Sequence, residues 1–149
     1  MNTRLINTIA PIIITFFILW MNSFVDMNPD WYKKSKKPWF LPPTWVFPVV
    51  WTITYIYFIY LWIQSQNLEN YPIISWICTF NIIVNGFWTI MFFGLKKMYV
   101  AFGLIVLLIL INVSLLLLVR DTSHIVYTFL HILWLLYALL INMAMIQMN

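Results

Sequence analysis

The sequence predicts an all-α integral membrane protein, a five-helix bundle forming a single domain over residues 1–149. Three observations carry this expectation. Eight basic and four acidic residues are the only charges in a chain that is 64% hydrophobic. They divide it into uncharged stretches at 5–25, 38–68, 70–95, 98–119 and 122–149, each about as long as the roughly 20 residues that cross a hydrocarbon core of about 30 Å. None of these windows has the charged face that a water-exposed helix requires.

The first span is expected at Leu5 to Phe24. It lacks a small-residue cleavage signal before Asp26, so it is read as a helix rather than as a secretory leader. Pro11 lies inside it and would kink it unless the helix starts there. The second span runs from Thr44 to Ile63, with Pro42 or Pro43 suited to its first turn, where a missing amide hydrogen costs nothing. The third, Pro72 to Phe93, begins on a proline in the same way. The fourth is Tyr99 to Val119 and the fifth Ile125 to Ile146. Links at 64–71, 94–98 and 120–124 are short enough to make neighbouring helices antiparallel.

The segment from Trp31 to Trp51 stands apart. It holds four tryptophans, four prolines and four lysines, more aromatic content than a polar connector needs. With five spans, Lys33, Lys34, Lys36, Lys37, Lys96 and Lys97 share one side, and only Arg4 and Arg120 lie opposite. That asymmetry in short loops predicts a cytoplasmic lysine-rich side and C-terminus, with the N-terminus outside. Contact with membrane lipid follows from the composition. The net charge of +4 is thereby a topology signal and gives no nucleic-acid footprint. Cys78 is alone, and His124 and His131 have no third ligand at useful spacing, so neither a disulfide nor a metal centre is expected.

No Asp, Glu, Lys or Arg falls within a span, which leaves ion-coupled transport unsupported. The spans carry uncharged polar and aromatic groups instead. Asn81, Asn85, Trp88 and Phe92 follow one another at helical spacing, and Thr89 widens the polar part of that face. Trp51, Tyr55, Phe58 and Trp62 form a second stripe, and His131, Trp134, Ala138 and Asn142 a third. An asparagine facing lipid would leave its amide unpaired, so these stripes should face other helices or a cavity. Asparagines that merely tie helices together, with alanine allowing close packing, are the plainer alternative for any one residue. Taken jointly, the three faces suit a planar, mostly apolar ligand with a few polar atoms. Helix four is greasier and reads as scaffold or subunit contact.

These residues resemble the family of tryptophan-rich sensory proteins and translocator proteins, the TspO/MBR (peripheral-type benzodiazepine receptor) type. Trp31-Tyr32, Lys37-Pro38-Trp39-Phe40, Pro42-Pro43, Trp45 and Trp51-Thr52 with Tyr55 look like its first loop and second helix. Asn85, Trp88-Thr89 and Phe92-Phe93-Gly94-Leu95 look like its Asn-x-x-Trp-Ser-x-x-Phe-Phe signature, and Trp134, Ala138 and Ile141-Asn142 like its Trp-x-x-x-Ala-x-x-Leu-Asn element. Order and spacing agree over nearly the whole chain. There are departures. Pro48-Val49 stands where relatives often have glycine and proline, and Ile90 and His131 stand where they have prolines. The acidic residue and tryptophan of helix four are missing near Gly103, Leu104 and Ile109, and no basic residue follows Arg120 to complete a sterol motif.

The resemblance implies a five-helix bundle, commonly a homodimer, whose cavity is closed by the first loop. Carried over, the ligand-binding set is Trp51, Asn85, Trp88, Trp134, Ala138 and Asn142, with Tyr32 and Trp39 from the loop. Tyr55 and Asn81 join it as members of the same stripes. The implied ligand is a porphyrin such as protoporphyrin IX, or a haem-related tetrapyrrole, with no resident cofactor. A receptor or sensor of tetrapyrroles is the leading expectation. Light- or oxygen-dependent porphyrin breakdown and translocation of porphyrin or other hydrophobic solutes are the alternatives, and no acid/base pair or nucleophile arrangement marks an enzyme. A bacterial plasma membrane is the expected location.

Overall fold

The computed structural model describes residues 3–120 and 123–149. Among the described residues five helices are long and apolar enough to cross a membrane: α1 (Thr3–Ser23), α3 (Val46–Gln64), α4 (Tyr71–Thr89), α5 (Met98–Leu118) and α6 (His124–Met148), with a short α2 (Asp30–Lys34) in the first loop. No strand occurs among the described residues. Side chains such as Phe16, Trp20, Leu110 and Leu117 are more than half exposed, an arrangement stable against lipid and untenable in water. The chain is an integral membrane protein of the all-α class.

Each expected span is present within a few residues, and the local chemistry explains the differences. Pro42 and Pro43 lie before α3 in a turn closed by the Val46 amide on the Pro43 carbonyl at 3.0 Å. It is Pro48, not either of those, that occupies the first turn of α3, where amide hydrogens lack helical acceptors anyway. Pro72 sits in the first turn of α4 as expected. Helix α1 starts well before Pro11 and runs through it, so the Asn7 carbonyl goes without its helical donor. The first loop is more ordered than a connector: α2 starts after Pro29, with Asp30 in its first turn and Lys33 and Lys34 in its last, charges that suit its dipole. The side chain of Arg4 and part of the link at 120–124, both used in the topology reading, lie outside the described residues.

Ile90 replaces a helix-bending proline with a different device. From Ile90 to Gly94 the helix widens into a π turn, in which the Leu95 amide bonds the Ile90 carbonyl at 2.9 Å. Such turns insert a residue into the helical register and often mark functional positions. Here the turn buries both Phe92 and Phe93, although adjacent residues on a regular helix point about 100° apart. Lys96 then takes the left-handed conformation at φ 54°, and the Lys97 amide reaches back to the Met91 carbonyl at 2.8 Å. His131, the other position lacking a proline, leaves α6 continuous and shares a 3.4 Å hydrogen bond with Thr54 of α3.

Helix α4 is the centre of the bundle, packing on α1, α3 and α5, while α6 lies along α5 and meets α3 only lightly. The interior divides into two cores stacked along the bundle. One, towards the lysine-rich end, gathers Tyr32, Phe47, Trp88, Phe92, Phe93, Ala138 and their neighbours. The other gathers Ile18, Tyr55, Phe58, Leu61, Trp62, Ile74 and Cys78. Polar ties are concentrated at the second. Tyr57 and Thr128 join α3 to α6 at 2.6 Å, and the Trp62 indole donates to the Tyr71 hydroxyl at 3.1 Å. Asn112 donates to the Asn81 side-chain oxygen at 2.6 Å, binding α5 to α4 midway. An interhelical bond of this kind is worth about 0.6–2 kcal/mol in lipid.

Candidate functional site

Four helices and the first loop converge on an aromatic box at the lysine-rich core. Phe47 is its hub. Its ring lies 6.3 Å from Trp88 in a stacked pose, 6.2 Å from Trp51 and 5.9 Å from Trp134. Trp51 meets Trp88 edge-on at 5.4 Å, and Trp88 stacks on Phe92 at 5.2 Å with 15° between planes. Helical spacing produces this arrangement. Phe47 and Trp51 are four apart on α3, Trp88 and Phe92 four apart across the π turn, and Trp134 and Ala138 four apart on α6, so each pair presents one face. Ile105 and Leu108 of α5 close the apolar wall beside Leu135.

Two small voids remain inside. One, bounded by Phe47, Trp51, Asn85, Trp88, Trp134 and Ala138, holds about 10 Å³. The other, bounded by Tyr32, Phe47, Trp88, Phe92, Ala138 and Asn142, is also about 10 Å³. Phe47, Trp88 and Ala138 line both, so together they trace one site collapsed to the room of a water molecule or two. Ligand pockets run to about 300–1,000 Å³. The box is closed in this state, and anything larger than water has to spread its rings.

Its polar groups are conspicuous for what they lack. The Trp88 indole N–H and both side-chain atoms of Asn142 are buried without a hydrogen-bond partner. Each such group costs about 1–3 kcal/mol, and buried orphans of this kind call for a ligand, an ion or a water to explain them. Asn85, by contrast, donates to the Asn81 carbonyl at 3.1 Å. Of the residues expected from the sequence, Trp51, Asn85, Trp88, Trp134, Ala138 and Asn142 line these voids together with Tyr32.

Three expected residues lie elsewhere. Asn81 is wholly buried but turned to α5, where it accepts from Asn112, and its own amide donates to the Ile77 carbonyl at 2.9 Å. Tyr55 belongs to the second core. Both share a helical face with box residues, but a stripe about three turns long meets different neighbours at its two ends. Trp39 is 95% exposed, with Phe40 as its ring neighbour at 5.7 Å, and it does not line the box. Phe47 was missed although it stands four residues before Trp51; extending that stripe back one turn finds it.

The first loop closes over the box as a lid. Tyr32 is its plug, 1% exposed, with its ring edge-on to Phe93 at 5.1 Å and to Phe92 at 6.2 Å. Burial pushes its phenol pKa above the usual value. Three ties to the bundle and one inside the loop hold it. The Trp31 indole donates to the Phe93 carbonyl at 3.1 Å, which the end of the helix has left without a following donor. Asn149 pairs with the Lys36 backbone on both sides, accepting from its amide at 2.8 Å and donating to its carbonyl at 3.0 Å. Tyr137 donates to the Phe40 carbonyl at 2.5 Å. Lys37 turns inward over the Tyr32 ring, 4.8 Å from its centroid, and donates to the Tyr32 carbonyl at 2.7 Å. This lysine is therefore part of the fold of the lid as well as of the charge asymmetry.

Tyr137→Phe removes one tie without altering shape. Amide exchange of the segment from Lys36 to Leu41 is expected to accelerate roughly threefold to tenfold, matching about 0.5–1.5 kcal/mol for one hydrogen bond. Unchanged exchange would show that the tie adds nothing to closure.

Fold and site together define a class: five-span membrane bundles with an intramembrane aromatic box under a basic, tryptophan-bearing lid. Residues 8–148 match the TspO/MBR family, and the chain belongs to it. It is 32% identical over 83 residues to a tryptophan-rich sensory protein of Cereibacter sphaeroides, covering 55% of this chain and 52% of that protein. It is 37% identical over 84 residues to Protein CrtK of Rhodobacter capsulatus, covering 54% and 51%. Tryptophan-rich protein TspO of Archaeoglobus fulgidus is 30% identical over 98 residues, covering 63% and 64%. The chain thus aligns with between about half and just under two thirds of each relative's length.

Proposed function

We propose that the protein is a membrane receptor for a planar tetrapyrrole such as protoporphyrin IX, taken up in the aromatic box beneath the lid. The observation that carries this reading is the set of unpaired polar atoms on Trp88 and Asn142 within walls that are otherwise rings. A flat conjugated ligand satisfies both features: its faces lie against Phe47, Trp51 and Trp134, and its ring nitrogens or rim substituents meet the indole N–H and the amide. Family membership supports the same ligand class. The closed box makes opening part of the binding event, so the free energy of ring separation and lid release is subtracted from affinity. In this reading the lysine-rich end faces the cytoplasm of a bacterial cell, by the charge asymmetry of the loops.

Titration of the detergent-solubilised protein with protoporphyrin IX is expected to quench tryptophan emission saturably. Trp51→Phe keeps a ring but loses area, and should weaken binding about tenfold, the equivalent of roughly 1.4 kcal/mol. Quenching that never saturates, or an affinity indifferent to Trp51, would overturn the proposal.

A further inference from the structure

The lipid-facing side of the α3–α6 seam carries a groove that the box does not account for. Its outer part, of about 470 Å³, is lined by Ile53, Ile56, Tyr57, Tyr60, His124 and Tyr127. A deeper part of about 180 Å³ continues past Thr54, Leu130 and His131 to Trp134. The two parts share Ile53, Tyr57 and Tyr127. From Tyr60 to Val50 the groove follows α3 for about 15 Å at the helical rise. Ile53, Ile56, Tyr127 and Leu130 are each more than half exposed, so the groove opens sideways into the bilayer rather than to water.

Trp134 is a wall of both spaces. It lines both the deep end of the groove and the closed void of the box. The seam is also where the bundle is thinnest. Helices α3 and α6 meet only lightly, and the side-chain ties between them include Tyr57 to Thr128 and to the His124 carbonyl, and the long 3.4 Å contact of Thr54 with His131. His131 is itself incompletely satisfied, its Nε2 buried and without a partner. On the lid side, by contrast, Trp31, Lys36 and Phe40 are all fastened to the bundle.

We infer that the α3–α6 groove is the entry vestibule of the box: a planar, apolar ligand dissolved in the membrane lies first in this groove and passes into the box when the Trp134 side chain swings aside. This rests on the binding reading above and adds the route and the gate. The occupant is argued from the lining. Tyr57 and Tyr127 are stacked at 5.6 Å with 22° between planes and, with Tyr60 and Trp134, give the groove the same ring-binding chemistry as the box. Thr54 and His131 at its deep end offer hydrogen bonds to a polar atom of the ligand. A ligand already partitioned into lipid has no need to cross the water-facing lid.

The test is stopped-flow binding of protoporphyrin IX to wild type, to the double variant Ile53→Phe/Leu130→Phe, and to Leu110→Phe on the lipid face of α5. Both groove positions touch the vestibule and neither lines the box. Filling the groove is expected to slow association and dissociation alike by about tenfold, leaving Kd within roughly twofold, because a narrowed passage raises one barrier for both directions. Leu110→Phe is expected to leave both rates unchanged. Leu130→Cys, purified folded and then capped with a bulky thiol reagent, should reproduce the slowing without any question of folding, since Cys78 is buried. Unchanged rates in the filled and capped proteins, with binding intact, would overturn the vestibule and leave the box standing. Absence of saturable binding to wild type would overturn the box, and the vestibule with it.

Discussion

Ala138→Phe is expected to weaken protoporphyrin IX binding by at least about 100-fold, or roughly 2.7 kcal/mol, while the protein stays helical and membrane-inserted. Ala138 is 8% exposed and lines both voids of the box, so a benzyl group there fills the place where the rings must part. The added ring overpacks a core with about 10 Å³ to spare on either side, and a loss of about 1–3 kcal/mol in stability should accompany it. Two measurements separate these effects: saturable quenching reports the site, and thermal loss of helical circular dichroism reports the fold. Ala138→Gly, which removes a methyl from the same wall, should bind within about threefold of wild type. Wild-type affinity in the phenylalanine variant would mean that the ligand lies elsewhere.

The second large effect concerns α1. A Cβ at Gly86 would stand 2.3 Å from the Ile18 Cγ2 and 3.3 Å from the Asn22 side-chain nitrogen. Ile18 is itself buried, and its Cγ2 sits one bond from a branched carbon that cannot rotate freely in a helix. Gly86→Val is therefore expected to push α1 off α4 and cost about 3 kcal/mol, the upper part of the range for overpacked cores. Ile18→Ala in the same chain should restore more than half of that loss. A double variant no more stable than the sum of its two single changes would show that this contact does not set the spacing of α1 and α4.

What the sequence disclosed and what it concealed divide along physical lines. Spans were legible because a bilayer imposes a length and forbids charge, and both can be counted. Trp51, Trp88, Trp134, Ala138 and Asn142 were legible because helical spacing fixes which side chains share a face. Spacing does not say which neighbour a face meets, so Asn81 and Tyr55 were grouped with the box when one ties α4 to α5 and the other belongs to the opposite core. The lid ties were beyond reach for another reason. Trp31 and Phe93 are 62 residues apart, and Lys36 and Asn149 are 113 apart. Neither pair leaves a local pattern. The π turn at Ile90 was equally silent, since no proline or glycine marks where it starts.

The division of the interior into two cores has a mechanical consequence. Hydrogen bonds from Trp62 and Asn112 tie α4 to α3 and to α5 in the half away from the lid and at the middle of the bundle. The half beneath the lid is held by rings against rings. Ring contacts slide and re-form without leaving a polar group unpaired, whereas breaking a buried interhelical hydrogen bond strands a donor and an acceptor until each finds another partner. The molecule is accordingly built like a pair of tongs, riveted at one end and free to part at the other, and the lid is the clasp that keeps the free ends together.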